Sequence, residues 1–254
     1  MIKGKNINFS YKNKKVLNGV DIQINKGEIV SIIGKNGSGK TTLLKIVAKL
    51  MSCERESLTL YGENYETING KDFAKSVGYF PQSRHTPDLT VKELLENSRY
   101  PHNGASYKII DNDVKMIEKG INLANIQDFY QKSVKKLSSG ERQKVYLGAL
   151  IAQGTEFLLL DEPTNYLDIK SKFTLMDNLL TLKNEGCGVV VVMHDLVLSL
   201  KYSDRIYILD GGKVCGEGTP NEIIENGIIE DVFGVDVSKV NINGKIEYVI
   251  ADKI

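Results

Sequence analysis

The sequence predicts an α/β protein: a mainly parallel sheet wrapped by helices, with an N-terminal antiparallel β subdomain and an inserted helical subdomain. Three observations carry this expectation. Short apolar runs alternate with segments of helical period through the second half of the chain. A glycine-rich loop joins a strand to a helix near residue 40. From about residue 84 to 136 the strand pattern gives way to helical spacing. The expected organisation is a single domain over residues 1–254, a helical insertion over 84–136, and a C-terminal extension of helix and hairpin over 215–254.

Taken in order, the first ~80 residues read as short strands. In Val20-Asp21-Ile22-Gln23-Ile24 apolar and polar residues alternate, as a half-buried strand requires. Glu28 to Ile33 is more continuously apolar, as a strand covered on both faces would be. After the glycine loop, Thr41 to Leu50 places Leu43, Leu44, Val47 and Leu50 at helical spacing. Val77 to Phe80 reads as a further strand. Thr90 is an expected N-cap for Val91 to Leu95, and Asp113 to Leu123 sets Val114, Ile117 and Ile121 on one helical face. A helix from about Glu141 to Ala152 precedes the strand Phe157 to Leu160. Next come a helix from Ile169 to Asn184 with Gly186 past its end, the strand Val189 to Met193, and a helix from Asp195 to Tyr202. Asp210-Gly211-Gly212-Lys213 and Asn243-Gly244 signal hairpins, and Thr219-Pro220 signals a capped helix start with proline at its first position.

Composition narrows the function classes. The 33 basic and 32 acidic side chains nearly cancel, which argues against a strongly basic nucleic-acid binder and against an acidic tail. The longest apolar runs, Phe157 to Leu160 and Val189 to Met193, fall far short of the ~20 residues that span a bilayer. Met1 to Asn6 lacks the apolar core of a secretory signal. Cys53, Cys187 and Cys215 form no Cys-x-x-Cys, so neither a disulfide framework nor a thiolate zinc site is expected.

Gly34-Lys35-Asn36-Gly37-Ser38-Gly39-Lys40-Thr41 matches the phosphate-loop pattern Gly-x-x-x-x-Gly-Lys-Ser/Thr at every defined position. Glycines allow successive backbone N–H groups to converge on phosphate oxygens, and the following helix presents its positive end. Lys40 is expected to bridge the β- and γ-phosphates and Thr41 to ligate Mg²⁺, with Thr42 beside them among the nucleotide-binding residues. Phe157-Leu158-Leu159-Leu160-Asp161-Glu162 supplies an acidic pair at a strand end. Neighbouring strand residues point to opposite sides, so both carboxylates serve one site only because the chain leaves the sheet at Pro163. Asp161 is then expected in the metal shell and Glu162 as the base that takes a proton from the attacking water. Alone, an apolar run ending in Asp-Glu is most often a strand entering a turn; the phosphate loop upstream reverses those odds.

A phosphate loop serves kinases, GTPases, helicases and transport ATPases alike, and the sequence has no Asn-Lys-x-Asp guanine-reading motif. Leu137-Ser138-Ser139-Gly140-Glu141 resembles the signature loop of ATP-binding cassette (ABC) ATPases; by itself it reads first as an ordinary capping box, and its position ahead of the Asp-Glu strand tips the balance. The remaining features of that family follow in order. Tyr11 sits where its adenine-stacking aromatic lies, and Gln82 matches the glutamine that joins core to helical insertion and touches the metal shell. Asn165-Tyr166-Leu167-Asp168 matches the loop that crosses the dimer interface, and His194 the switch histidine. The resemblance therefore implies a P-loop NTPase (RecA-like) core. It also implies two copies sandwiching two ATP molecules with Mg²⁺, each γ-phosphate held by Lys40 and His194 of one chain and by Ser138 and Gly140 of the other.

Within the family the chain is similar to the ATP-binding subunits of iron-siderophore, haem and cobalamin importers. The similarity lies in Arg99-Tyr100-Pro101-His102, in Pro163 to Ile169, and in Gly216-Glu217-Gly218-Thr219-Pro220 followed by Val232-Phe233-Gly234-Val235. Ser139, Glu141 and Ser98 depart from the usual glycine, glutamine and glycine. This similarity implies a peripheral protein at the cytoplasmic face of the cell membrane. Its implied partners are two polytopic permease subunits and, indirectly, an extracellular solute-binding protein, with no nucleic acid. A soluble ABC ATPase acting on a protein or nucleic-acid assembly is the competing reading. A nucleotide or small-molecule kinase is a third, which leaves the signature loop and Gln82 without a role.

Overall fold

The computed structural model describes residues 1–53, 57–82, 86–103, 108–165 and 167–252. Tyr166 and the expected start of the insertion at residue 84 lie outside the described residues. The chain forms two compact units, one built from Met1–Thr67 with Gly188–Ile254 and the other from Ile68–Cys187.

The first unit begins with β1 (Ile2–Tyr11), β2 (Lys14–Ile24), β3 (Ile29–Gly34), α1 (Lys40–Val47), β4 (Leu58–Leu60) and β5 (Glu63–Asn64). β1, β2, β4 and β5 make an antiparallel sheet of order β2-β1-β4-β5, with Ile2 opposite Ile24 and Leu60. The alternation read from β2 is realised: Val20, Ile22 and Ile24 are buried and Asp21 between them is exposed. Helix α1 is shorter than its spacing predicts. It ends at Val47, Lys49 turns into the left-handed region at φ 58°, and Leu50 is left 59% exposed.

The second unit holds α2 (Gly70–Ser76), β6 (Val77–Phe80), α3 (Val91–Ser98), α4 (Tyr100–Asn103), α5 (Asp111–Ala124), α6 (Ser139–Gln153), β7 (Phe157–Asp161) and α7 (Ile169–Asn184). Helix α2 lies where only strands were expected. It is set by Asn69, whose side chain accepts the Asp72 N–H at 2.9 Å. β6 and β7 run parallel, Val77 opposite Phe157. Thr90 caps α3 as predicted, in a reciprocal box with Glu93. α3, α5 and α6 close over a core that includes Val91, Leu95, Ile117, Val134 and Val145.

One predicted face needs correction. Ile117 is buried, but Val114 is 44% exposed, and the inward face of α5 runs through Asp113, Ile117, Gly120 and Ala124. The stripe rotates because Asp113 turns inward to Arg99, whose Nε donates to Asp113 Oδ1 at 2.8 Å, with side-chain exposures of 1% and 2%. A Cβ on Gly120 would lie 2.3 Å from the Gly148 carbonyl oxygen, so α5 and α6 touch where only glycine fits. Burial acts to raise the Asp113 carboxyl. The Ile110 N–H, Arg99 and Asn103 outweigh it and hold the group below the usual carboxylate range. Removing one member of a buried pair strands the other charge, so Asp113→Ala is expected to lower unfolding free energy by about 3–5 kcal/mol. Chemical denaturation measures this, and an unchanged midpoint and slope would contradict it.

The chain returns to the first unit with β8 (Gly188–Val192), α8 (Leu196–Tyr202), β9 (Arg205–Asp210), β10 (Lys213–Gly218), α9 (Pro220–Glu225), α10 (Ile228–Phe233), β11 (Val235–Ile242) and β12 (Lys245–Asp252). β3 lies between β8 and β9 and is parallel to both, with every residue of β3 and β8 buried. β10 joins β9 antiparallel through the expected Asp210 to Lys213 turn. The second hairpin, β11–β12, turns at Asn243 and Gly244, both at positive φ (53° and 79°). Thr219 caps α9 with Pro220 at the first helical position. Among the described residues no helix is long and apolar enough to cross a membrane.

Candidate nucleotide site

In the first unit the buried strand β3 ends at Gly34 and the chain turns into α1. Gly34 has φ 149°, and a Cβ there would meet the Leu209 carbonyl oxygen at 2.1 Å, so the loop starts where no side chain fits. Lys35, Asn36 and Gly37 are exposed, whereas Ser38, Lys40 and Thr42 are buried. Lys40 Nζ donates to the carbonyl oxygens of Gly34 at 2.8 Å and Lys35 at 2.9 Å, holding its ammonium inside the loop at 5% exposure. Gly39 caps α1 without a side-chain acceptor, and the first turn carries no acid, so the helix start presents N–H groups and its positive end. Ser38 Oγ is buried without a hydrogen-bond partner among the described residues. A buried hydroxyl left so costs about 1–3 kcal/mol, and a phosphate oxygen is the acceptor that would relieve it. Loop, buried cation and orphaned hydroxyl together fit a triphosphate.

The same unit places two other predicted residues. Tyr11 closes β1 half exposed, edge-on to Phe9 with ring centroids 4.9 Å apart, its hydroxyl 3.4 Å from Met51 Sδ. His194 follows β8 and is exposed, just before Asp195, which caps α8 by accepting the Leu198 N–H at 3.1 Å.

The second unit holds the acidic pair. Asp161, the last residue of β7, is fully buried, and Tyr79 Oη donates to its Oδ2 at 3.4 Å. Glu162 follows at φ 50°, in the left-handed region that a non-glycine residue occupies at a cost of about 1–3 kcal/mol. Its Oε2 accepts two amide N–H groups, Gln82 Nε2 at 2.5 Å and Asn165 Nδ2 at 2.6 Å. Gln143 Nε2 pins the next turn by donating to the Pro163 carbonyl at 2.7 Å. The strained backbone and both amides aim one carboxylate, and Gln82 and Glu162, far apart in sequence, meet directly. Asn165 and Tyr79 were not singled out as site residues. Their signals were an amide three positions past Glu162, within turn reach, and a lone hydroxyl on an otherwise apolar strand.

Ser138 and Asp168 stand at helix starts. Ser138 caps α6 in a box with Glu141, whose carboxyl is held below its usual range by the Ser138 N–H. Glutamate or glutamine can fill this position of a capping box. Ser138 and Ser139 are exposed and Gly140 half-buried. Asp168 caps α7 by accepting the Ser171 N–H at 2.7 Å, which holds its carboxyl low as well.

A buried parallel strand opening through a glycine loop onto a helix, with a second strand ending in an oriented carboxylate, defines a P-loop NTPase. The ABC transporter family model matches residues 17–165, and the chain belongs to that family. It is 34% identical over 239 residues to the petrobactin import ATP-binding protein FpuC of Bacillus anthracis, covering 93% of this chain and 88% of that one. It is 33% identical over 236 residues to the iron(3+)-hydroxamate import ATP-binding protein FhuC of Bacillus subtilis, covering 92% and 88%. Among solved structures, the dimeric post-hydrolysis state of an ATP-binding cassette with ADP and Pi superposes with a TM-score of 0.76 at 27% identity, over 87% of this chain and 99% of that one. The chain is thus an ABC-type ATP hydrolase.

Proposed function

We propose that this chain is the ATP-hydrolysing subunit of an importer for iron(III) chelates of the siderophore type. It would work as a two-fold dimer beneath two membrane permease subunits at the cytoplasmic face of the cell membrane. Hydrolysis rests on one observation above the rest: Glu162 is held in a strained backbone conformation with Gln82 and Asn165 on a single carboxylate oxygen. A base built this way is oriented before substrate arrives, which is how positioning contributes to rate. The solute class rests on the likeness to FpuC and FhuC over more than nine-tenths of the chain.

The roles follow from the residues. The phosphate loop, Gly34 to Thr42, would bind the triphosphate, with Lys40 exchanging its loop carbonyls for phosphate oxygens. Tyr11 would stack on the adenine, and Glu162 would accept the proton of the attacking water while His194 contacts the γ-phosphate. The Thr41 hydroxyl, the Asp161 carboxylate and the Gln82 amide oxygen are hard oxygen donors of the kind Mg²⁺ prefers, and would hold it with the phosphates. When bound, Mg²⁺ neutralises charge on the β- and γ-oxygens. Ser138 and Gly140, exposed or half-exposed at the start of α6, would meet the nucleotide of the other copy, with Asp168 at the interface. ATP that bridges two copies binds the closed dimer better than the open one, and only such a difference shifts the equilibrium. Moving it from 1:99 to 99:1 takes ~5.5 kcal/mol, within reach of two bridging triphosphates.

Uptake of radio-iron as a hydroxamate or catecholate chelate tests the solute class. A strain lacking this chain is expected to lose uptake of one such chelate and regain it with the wild-type chain but not with Glu162→Gln. Normal uptake of every iron chelate in the deletion strain would contradict the assignment.

A further inference from the structure

Arg99-Tyr100-Pro101-His102 has no part in the chemistry above, yet it contains a cation buried in the second unit. Arg99 is 2% exposed and makes three hydrogen bonds: Nε to Asp113 Oδ1 at 2.8 Å, and Nη1 to the carbonyl oxygens of Ala152 at 3.0 Å and Gln153 at 2.6 Å. His102 Nε2 lies 2.8 Å from the same Gln153 carbonyl. Those carbonyls belong to the last turn of α6, where they have no partner within the helix and where the macrodipole is negative. Asp113 sits in the first turn of α5, accepts the Ile110 N–H at 3.0 Å, and meets the positive end of that helix. One buried ion pair therefore ties the end of α6 to the start of α5.

The opposite end of α6 carries Ser138 and Gly140. The helix has 15 residues, about 22 Å at 1.5 Å each, and locks onto α5 where Gly120 meets Gly148. A rod held by its tail and its middle transmits a shift at the tail to the tip. We propose that Arg99 is a positioning residue: by gripping the last carbonyls of α6 it sets where Ser138 and Gly140 stand when they meet the nucleotide of the other copy. The fixed fork of a guanidinium suits this and the single ammonium of lysine does not. The inference rests on the dimer reading above, in which Ser138 and Gly140 face the other copy's ATP.

The test uses the full chain carrying Glu162→Gln, so that ATP persists, alone and combined with Arg99→Lys or with Arg99→Met/Asp113→Leu. The second combination replaces the ion pair by apolar side chains, a change that cores often accept. Nucleotide affinity is measured at dilutions where the chain is monomeric, and ATP-Mg²⁺-driven association by sedimentation. Both variants are expected to bind ATP within about twofold of their parent and to associate roughly 10- to 100-fold more weakly, as a small misplacement of contact groups predicts. Association equal to the parent's in both would overturn the inference, as would an equal loss of monomer affinity, which indicates general damage. If the apolar variant does not fold, the lysine variant decides. A parent that does not associate would overturn the dimer reading and this inference with it. A parent that associates as well as its variants overturns the inference alone.

Discussion

Replacing Glu162 with glutamine is expected to slow steady-state ATP hydrolysis by ~10²–10⁴-fold. At 1.36 kcal/mol per decade, that is a barrier increase of ~2.7–5.4 kcal/mol. The substitution is well matched to its purpose. A glutamine carbonyl can accept the same two N–H groups from Gln82 and Asn165, so the local geometry survives. The left-handed backbone strains glutamine as it strains glutamate. What disappears is the ability to accept a proton. Nucleotide binding, carried by the phosphate loop, is expected to stay within about twofold of wild type, since a base acts on the barrier and not on ground-state affinity. Single-turnover and steady-state phosphate release measure both quantities, and turnover within about threefold of wild type would contradict the role given to Glu162.

The second large effect is expected at Lys40, and it differs in kind. Lys40→Ala removes a buried ammonium that grips the Gly34 and Lys35 carbonyls and, on this reading, transfers to the β- and γ-phosphates when ATP arrives. A charge-assisted hydrogen bond contributes about 1.5–3 kcal/mol net. Losing it therefore weakens ATP binding roughly 10- to 100-fold. The loop carbonyls lose their donor as well, so the empty loop is loosened along with its grip on ligand. Calorimetric titration with a slowly hydrolysed ATP analogue reads the change, and an unchanged affinity would remove Lys40 from the nucleotide site. Together the variants separate capture from chemistry, Lys40 acting on affinity and Glu162 on turnover.

Much of this was legible because the chemistry leaves local marks. The phosphate loop needs glycines and a lysine at fixed spacing, and the structure shows why at Gly34, where a Cβ would strike the Leu209 carbonyl. Caps at Thr90, Ser138 and Thr219 were readable because a short polar side chain before a helix serves N–H groups two or three residues on, whereas Asp195, read as the first helical residue, is itself the cap of α8. Strand β3 and helix α7 followed from apolar continuity and a terminal glycine.

What escaped was decided by distant partners. Val114 looked like core and is exposed because its neighbour Asp113 is drawn in by Arg99, fourteen positions away in sequence. No apolar period reveals a charge that is buried because another charge is waiting for it. Asn165 lay inside a recognised segment, yet its bond to Glu162 depends on a left-handed residue that composition does not encode. Leu50 matched the period of α1, but the chain leaves the helix after Val47. Spacing says where a helix would bury its side chains, and not where it stops.

Sedimentation of the Glu162→Gln chain, with and without ATP and Mg²⁺, most directly asks whether ATP joins two copies. A monomer without nucleotide, a dimer with ATP and Mg²⁺, and a return to monomer with ADP are the predicted results. A single species of unchanged size under all three conditions would contradict it.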